Sequence, residues 1–171
     1  MHCKVCDFGL SRAVQSNTSH TMTRNVGTLY YLCPEMLTDQ STSNSMDKAN
    51  RATKVDVYSF GIIMWELFFE CIPFTENEKT CKSFSQNQKT TNPISVLGAV
   101  VNGKRPSIPF DNEDELVDWM QLYLQEISKD KCHIVLQYVS WMKQCWDGEA
   151  INRPDFQSTS KEICSWLHQL K

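Results

Sequence analysis

The longest apolar stretch of the chain lies near its centre. From Phe60 to Phe69 only Gly61 and Glu66 interrupt a run of aromatic and aliphatic side chains and one methionine. A helix at a protein surface shows one apolar stripe, whereas this segment is apolar on all sides, so it predicts a helix buried in the middle of a globular domain. The run is too short to span a bilayer, which requires about 20 apolar residues.

Polar residues in front of this run predict where the helix begins. Thr53 can act as the N-cap, and Asp56, three residues later, completes a capping-box pattern. Asp56 would then lie in the first turn, where a carboxylate interacts favourably with the helix dipole. A buried strand is the alternative interpretation, but the length of the run and the cap favour a helix.

Three further segments have apolar residues at helical spacing. Asn92 is a favourable N-cap, Pro93 a favourable first residue and Gly103 a stop signal, so they predict a helix between them. Another helix is predicted over residues 134–146, and a last one after Pro154. The residues of the last helix that we expect to face the core are Phe156, Ile163, Leu167 and Leu170.

Residues 111–131 form a separate amphipathic pattern. Leu116, Trp119, Tyr123 and Ile127 recur at helical spacing, and acidic residues are concentrated at the front end. The helix either packs on the domain or serves as a docking element for a partner. We favour packing, because an amphipathic helix gains most of its stability by covering a core.

The N-terminal region predicts a short strand followed by a polar loop. Cys3, Val5 and Phe8 alternate with polar residues, as in a half-exposed strand. Residues 11–26 are rich in Ser, Thr and Asn and show no periodicity, which is typical of a loop. The other polar stretches, which we also interpret as surface loops, are residues 40–50 and 75–91.

Composition and charge limit the classes of partner. The chain has 171 residues, enough for one domain with a substantial core. Its formal net charge is -3 and no basic run occurs, so neither nucleic acid nor a membrane is an expected partner. The eight cysteines are scattered, and the N-terminus lacks the apolar stretch of a signal peptide. We therefore expect reduced cysteines and a cytoplasmic location.

Four short motifs follow one another along the chain. They are Asp7-Phe8-Gly9, GTLYYLCPE over residues 27–35, DVYSFGIIMWEL over residues 56–67 and CWDGEAINRPDF over residues 145–156. Each is a weak signal alone, but together and in this order they resemble the eukaryotic protein kinase catalytic domain. The resemblance covers nearly the whole chain but only the C-terminal part of that domain.

The resemblance implies a mainly α fold. This fold is the helical bundle of the kinase C-lobe, with a short N-terminal strand and an activation segment. Residues 1–170 would form the partial kinase domain, 7–35 the activation segment and 111–131 an inserted helix. The pattern at Gly27 and Thr28 looks like a Ser/Thr-specific kinase, and the central motif is similar to the tyrosine-kinase-like branch.

The resemblance also implies roles for residues of the activation segment. Asp7 would hold the Mg²⁺ that bridges the ATP phosphates, and the packing of Phe8, next to Gly9, would distinguish active from inactive states. The candidate phosphorylation sites of the activation loop are Ser19, Thr21 and Thr23. The wall that receives the substrate residue after the phosphoacceptor would consist of Gly27, Thr28, Leu29, Tyr30, Tyr31 and Leu32.

The implied roles in the helical part are structural. Glu35 would form a buried ion pair with Arg153. Asp56 would hold the backbone of the catalytic loop. Ile63 and Leu67 would support the hydrophobic column beneath the adenine of ATP.

Several parts of a complete kinase do not occur in the sequence. It contains no Gly-rich loop, no strand lysine and no His-Arg-Asp catalytic loop. We therefore expect this polypeptide alone to be inactive and to bind neither ATP nor Mg²⁺, the cofactors of the full domain. Without those parts, apolar surface of the central helix should be uncovered.

Two functions remain open. In the first, the chain is the C-lobe portion of a Ser/Thr kinase that transfers the ATP γ-phosphate to protein substrates. In the second, it is a catalytically dead, kinase-derived module that binds protein substrates or regulators. A kinase N-lobe is a further expected partner.

Overall fold

The computed structural model describes residues 4, 6, 26–38, 48–74, 92–124 and 128–170. These residues form helices, short 3₁₀ turns and loops, with no strand among them. The helices are α1 Lys48–Phe69, α2 Pro93–Val101, α3 Glu113–Tyr123, α4 Cys132–Cys145 and α5 Phe156–Gln169. The 3₁₀ turns are Val26–Tyr31, Pro34–Met36, Lys129–Lys131 and Ala150–Asn152. This architecture confirms the predicted mainly α class, whereas the predicted N-terminal strand lies almost entirely outside the described residues.

Helix α1 begins earlier than the sequence pattern predicts. It is continuous from residue 48, so Thr53 lies inside the helix and Asp56 lies in its third turn rather than its first. The predicted N-cap at Thr53 is therefore wrong. The residues before it include lysine, alanine and arginine, which are strong helix formers and extend the helix toward its N-terminus.

One side of α1 forms the centre of the core, and the opposite side does not. Tyr58, Ile62 and Trp65 are fully buried, whereas Ile63 and Leu67 are 40% and 71% exposed. The prediction of a helix buried on all sides is therefore wrong for one stripe. The uncovered apolar surface that we expected on this helix is present.

Helix α1 packs against α4 at very short distance. At Gly61 an added Cβ would lie 2.9 Å from the Cβ of Cys145 and 3.2 Å from the backbone nitrogen of Trp146. Glycine is therefore required where the two helices touch, since a close-packed interior leaves no room for a side chain there. The helix predicted over residues 134–146 is α4, and its buried residues include Ile134 and Met142.

Helix α3 covers the end of α1 with aromatic side chains. The Trp119 ring lies 5.6 Å from the ring of Phe68 and 5.5 Å from the ring of Phe69. These contacts confirm that the helix predicted within residues 111–131 packs on the domain. Its extent is shorter than the predicted range, and Ile127 lies outside the described residues.

Helix α2 begins and ends as predicted. The side chain of Asn92 accepts a 3.0 Å hydrogen bond from the backbone N–H of Ile94, and Gly103, with φ 89°, follows the helix. Its buried residues are Val96 and Val100. Ile94 is 75% exposed, so α2 presents apolar surface to solvent.

Helix α5 buries a different face from the predicted one. Asp155 caps the helix by accepting a 2.6 Å hydrogen bond from the N–H of Ser158. Thr159 and Trp166 are buried. Thr159 can be buried because its hydroxyl donates to the Asp155 carbonyl at 2.8 Å and accepts from the Trp141 indole at 3.3 Å. Of the residues predicted to face inward, one is partly buried, Ile163, and three are exposed, Phe156, Leu167 and Leu170.

Candidate functional site

Residues 26–38, hereafter the 26–38 segment, are held against α1 by two hydrogen bonds of one tyrosine. The Tyr31 hydroxyl donates to the Glu66 carboxylate at 2.6 Å, and the Tyr31 carbonyl accepts from the Ser59 hydroxyl at 2.9 Å. Partial burial, together with the hydrogen bond to Glu66 and its negative charge, raises the pKa of Tyr31 above its ordinary value. The phenol therefore stays protonated and remains a donor at neutral pH.

The predicted substrate wall, residues 27–32, lies within this segment. The Tyr30 ring is buried, with its centroid 6.2 Å from that of Phe74. Leu29 and Leu32 are partly buried. The residues of the wall for which only the backbone is described are Gly27 and Thr28.

The thiol of Cys33, which follows the wall, belongs to the core. The residue is fully buried. Burial, reinforced by the negative charge of Glu35, raises the pKa of Cys33 to about 12. Because only the thiolate is a strong nucleophile, this thiol is inert at neutral pH.

Glu35 and Arg153 fix the C-terminal end of the 26–38 segment. Arg153 Nη1 and Nη2 donate to the two Glu35 carboxylate oxygens at 2.6 and 2.8 Å. The Arg153 side chain is completely buried and that of Glu35 is 23% exposed. Burial alone would raise the pKa of Glu35, but the hydrogen bonds and charge of Arg153 outweigh it and lower the pKa. The pair is therefore fully ionised at neutral pH.

The remaining donors of Arg153 are also used. Nε donates to the carbonyl of Asp147 at 2.9 Å, Nη1 to that of Lys54 at 2.9 Å, and Nη2 to that of Gly148 at 3.4 Å. In return, the ammonium of Lys54 donates to the Arg153 carbonyl and, at 3.3 Å, to that of Pro154. One buried guanidinium thus joins the 26–38 segment, α1 and the turn before α5.

Tyr58 of α1 lies between two arginines. The guanidinium carbons of Arg105 and Arg153 are each 5.1 Å from the centroid of its ring. The hydroxyl is buried and has no hydrogen-bond partner among the described residues. Burial raises the pKa of Tyr58 to about 12, so the ring is neutral and can interact with both cations through its π-system.

The exposed stripe of α1 consists of Asp56, Ile63 and Leu67 together with the half-buried Phe60, and these residues recur every three or four positions. Within the described residues the Asp56 carboxylate accepts no hydrogen bond. Asp56 is exposed, but neighbouring protein reduces the hydration of its carboxylate and raises its pKa. The Phe60 ring meets that of Phe156 edge-on at 5.8 Å. The stripe thus combines an unpaired carboxylate with apolar side chains.

Other predicted site residues lie outside the described part of the chain. They are Asp7, Phe8, Gly9, Ser19, Thr21 and Thr23. Among the residues that are described, no group of three or more His, Cys, Asp or Glu side chains is arranged to hold a metal ion. No helix in that part is long and apolar enough to cross a membrane.

Sequence reasoning missed Lys54 and Arg105. Lys54 lies four residues before Tyr58, on the buried side of α1, so helical periodicity could have indicated its burial. Arg105 reaches Tyr58 from the loop after α2, and no periodic pattern relates the two positions. Its contact follows only from the tertiary fold.

Comparison with known proteins places these observations in context. The family model of the protein kinase domain matches residues 1–160 of the chain. Mouse ankyrin repeat and protein kinase domain-containing protein 1 is 28% identical over 165 residues, which are 95% of this chain and 17% of that protein. Mouse receptor-interacting serine/threonine-protein kinase 4 is 26% identical over 163 residues, 94% of this chain and 16% of that protein.

A third relative comes from Dictyostelium discoideum. Its RGS domain-containing serine/threonine-protein kinase A is 29% identical over 153 residues, which are 90% of this chain and 9% of that protein. The chain therefore spans less than a fifth of the length of each of these curated relatives.

Proposed function

Because the chain belongs to the protein kinase family, we propose that it is the C-lobe portion of a Ser/Thr kinase of the tyrosine-kinase-like branch. The reaction of the full domain is transfer of the γ-phosphate of ATP to a Ser or Thr hydroxyl of a protein substrate. Two of the relatives described above carry serine/threonine-protein kinase in their names, which supports this acceptor.

One observation carries the proposal: the C-terminal end of the substrate wall is fixed to the helical core. The Tyr31–Glu66 hydrogen bond holds it to α1, and the Glu35–Arg153 pair holds the residues that follow it. Phosphoryl transfer depends largely on positioning the acceptor, so a rigid wall beside the substrate is what this half of the domain contributes.

The exposed stripe of α1 supports roles for three further residues. The Asp56 carboxylate, unpaired among the described residues, accepts backbone N–H groups of the catalytic loop in the full domain. Ile63 and Leu67, which are 40% and 71% exposed, support the hydrophobic column under the adenine. In this proposal both exposed apolar side chains become buried when the rest of the domain is present.

Metal and nucleotide chemistry belongs to the activation segment. Asp7 would supply to Mg²⁺ a carboxylate oxygen of the kind that this ion prefers, and the bound ion would provide positive charge beside the ATP phosphates of the full domain. Phe8 and Gly9 complete the motif. Phosphorylation at Ser19, Thr21 or Thr23 regulates the segment by adding charge that pairs with basic side chains.

Activity and size of the endogenous protein test this proposal together. An antibody against residues 111–131 is used to purify the protein, measure its mass and assay ³²P transfer from ATP to a generic Ser/Thr substrate. We expect a species larger than 19.8 kDa that phosphorylates Ser and Thr and loses this activity with Asp7→Ala. The control Lys161→Ala, a charge loss at an exposed position of α5, leaves activity unchanged.

The alternative function is a catalytically inactive protein-binding module. The exposed apolar side chains of α2, Ile94 at 75% and Val101 at 42%, favour it. A species of 19.8 kDa without transfer activity would overturn the kinase proposal and support this module. Loss of partner binding in Ile94→Asp, with the fold intact, would then locate the binding surface on α2.

A further inference from the structure

A cavity of about 500 Å³ opens between the loop that follows α2 and the C-terminal end of α4. The charged side chains that line it are those of Arg105, Lys143, Asp111 and Asp147. Gly148 lines it with backbone atoms only. No residue of the 26–38 segment lines it. The cavity is therefore separate from the substrate wall.

The guanidinium of Arg105 is held in one orientation inside this cavity. Nε donates to the Trp146 carbonyl at 2.8 Å, and Nη1 donates to the carbonyls of Lys104 at 2.8 Å and Val100 at 3.2 Å. One face of the guanidinium lies over the ring of Tyr58, 5.1 Å from its centroid. These contacts fix the guanidinium before any ligand arrives.

The third nitrogen of this guanidinium is unused. Arg105 Nη2 has no hydrogen-bond partner among the described residues. An added Cβ at Gly148 would lie 3.7 Å from it, so Nη2 lies beside a position where the chain carries no side chain. Two N–H donors of a fixed cation therefore remain available.

A second cation and two carboxylates share the cavity. Lys143, in the last turn of α4, is exposed and forms no ion pair with a described residue. Asp147 Oδ1 accepts from the N–H of Glu149 at 2.7 Å and from the Asn152 amide at 3.3 Å, but these neutral donors leave the negative charge of the carboxylate in place. The Asp111 carboxylate accepts no hydrogen bond from the described residues. Both carboxylates therefore repel an anion in the cavity.

We propose that this cavity binds a single oxyanion, the phosphate or carboxylate group of a partner protein. Arg105 Nη2 donates to the oxyanion, and Lys143 supplies a second positive charge. Because only Nη2 is free, the oxyanion is bound through one nitrogen rather than through a bidentate fork, and the guanidinium adds a charge that persists at neutral pH. Asp111 and Asp147 limit the affinity through like-charge repulsion, so the site takes one oxyanion rather than an extended acidic segment.

Titration with two simple anions tests the site. The ¹⁵N-labelled chain is titrated at constant ionic strength with inorganic phosphate and, separately, with acetate, while the Gly148 amide and the Arg105 Nε–H are observed by NMR. Saturable shifts of both signals are expected. Tighter binding of phosphate identifies a phosphorylated side chain as the natural group, and tighter or equal binding of acetate identifies a carboxylate.

Two charge variants give opposite expected effects. Lys143→Gln should weaken binding and Asp111→Asn should strengthen it, each by about twofold to fivefold, as for other partly exposed charge pairs. Lys161→Gln on α5 removes an equal charge away from the cavity and should leave affinity unchanged. All three side chains are exposed, so folding is preserved and thermal unfolding verifies this.

Three results would overturn the proposal. The first is a linear, non-saturating shift with both anions, which indicates an adventitious ion only. The second is equal binding in the chain and in Lys143→Gln. The third is an Asp111→Asn variant that binds more weakly than the unmodified chain.

Discussion

The Glu35 carboxylate accepts two parallel hydrogen bonds from Arg153, a residue 118 positions away in the sequence. The pair joins the end of the 26–38 segment to the turn before α5. Because Arg153 also donates to three backbone carbonyls, its five N–H donors all have partners. A single buried side chain thus links the 26–38 segment to α1 and to the turn before α5.

Removal of this side chain should destabilise the fold. Arg153→Ala leaves the Glu35 carboxylate without its cation and three carbonyls without a donor, a loss of about 3–5 kcal/mol for a broken buried pair. Urea denaturation measures the change in the free energy of unfolding. Arg153→Lys serves as the control, because it keeps the charge but cannot form the two parallel hydrogen bonds to Glu35. Its free energy of unfolding should lie between those of the unmodified chain and Arg153→Ala. An unchanged free energy of unfolding in Arg153→Ala would count against the pairing.

The same pair predicts a dependence of stability on pH. Arg153 lowers the pKa of Glu35 below its ordinary value of 4.5, so the stabilisation is complete above that value and is lost as the pH falls through the lower folded pKa. Glu35→Gln should therefore be less stable than the chain at pH 7, and the difference should shrink in acid. Urea denaturation at several pH values measures both. A difference that does not change with pH contradicts the ionised pair.

Two positions on opposite sides of α1 should respond very differently to truncation. Ile62 is fully buried and Leu67 is 71% exposed. Ile62→Ala should lower the free energy of unfolding by about 2–5 kcal/mol, since it leaves a cavity in the core. Leu67→Ala should change it by less than about 0.5 kcal/mol. Equal losses in the two variants would show that the stripe is covered in solution.

Two cysteines should differ in reactivity. Cys33 is buried and its pKa is raised to about 12, whereas Cys164 is exposed. Iodoacetamide at pH 8 should modify Cys164 and leave Cys33 unmodified until the chain unfolds, because only an accessible thiolate reacts. Mass spectrometry of peptides from folded and urea-unfolded protein measures both. Modification of Cys33 in the folded chain would place the 26–38 segment away from the core.

Local patterns predicted the helices well but not every boundary and face. Asn92 and Gly103 mark the limits of α2 because their signals are local. At Thr53 the local cap signal predicted the wrong helix start, because the residues before it favour a helix strongly enough to extend α1 past Thr53. On α5 hydrophobicity alone pointed to Phe156, whereas the buried face includes a hydrogen-bonded threonine.

The candidate site depends on contacts between distant residues, which the periodicity of the sequence cannot predict. The Glu35–Arg153 pair was predicted only through the resemblance to kinases, and the structure contains it. The packing of Arg105 on Tyr58 had no sequence signal, because the two lie on separate elements. Helical spacing can place a residue on a face of its own helix, but it does not say which distant side chain meets that face.

The contact at Gly61 makes one sequence position decisive for the distance between α1 and α4. A Cβ there meets the Cβ of Cys145 and the backbone of residues 145 and 146, at 2.9 to 3.3 Å, and no rotamer change can remove those atoms. A relative with a side chain at this position must therefore hold its two helices farther apart. The residue type at this one site therefore predicts the spacing of α1 and α4.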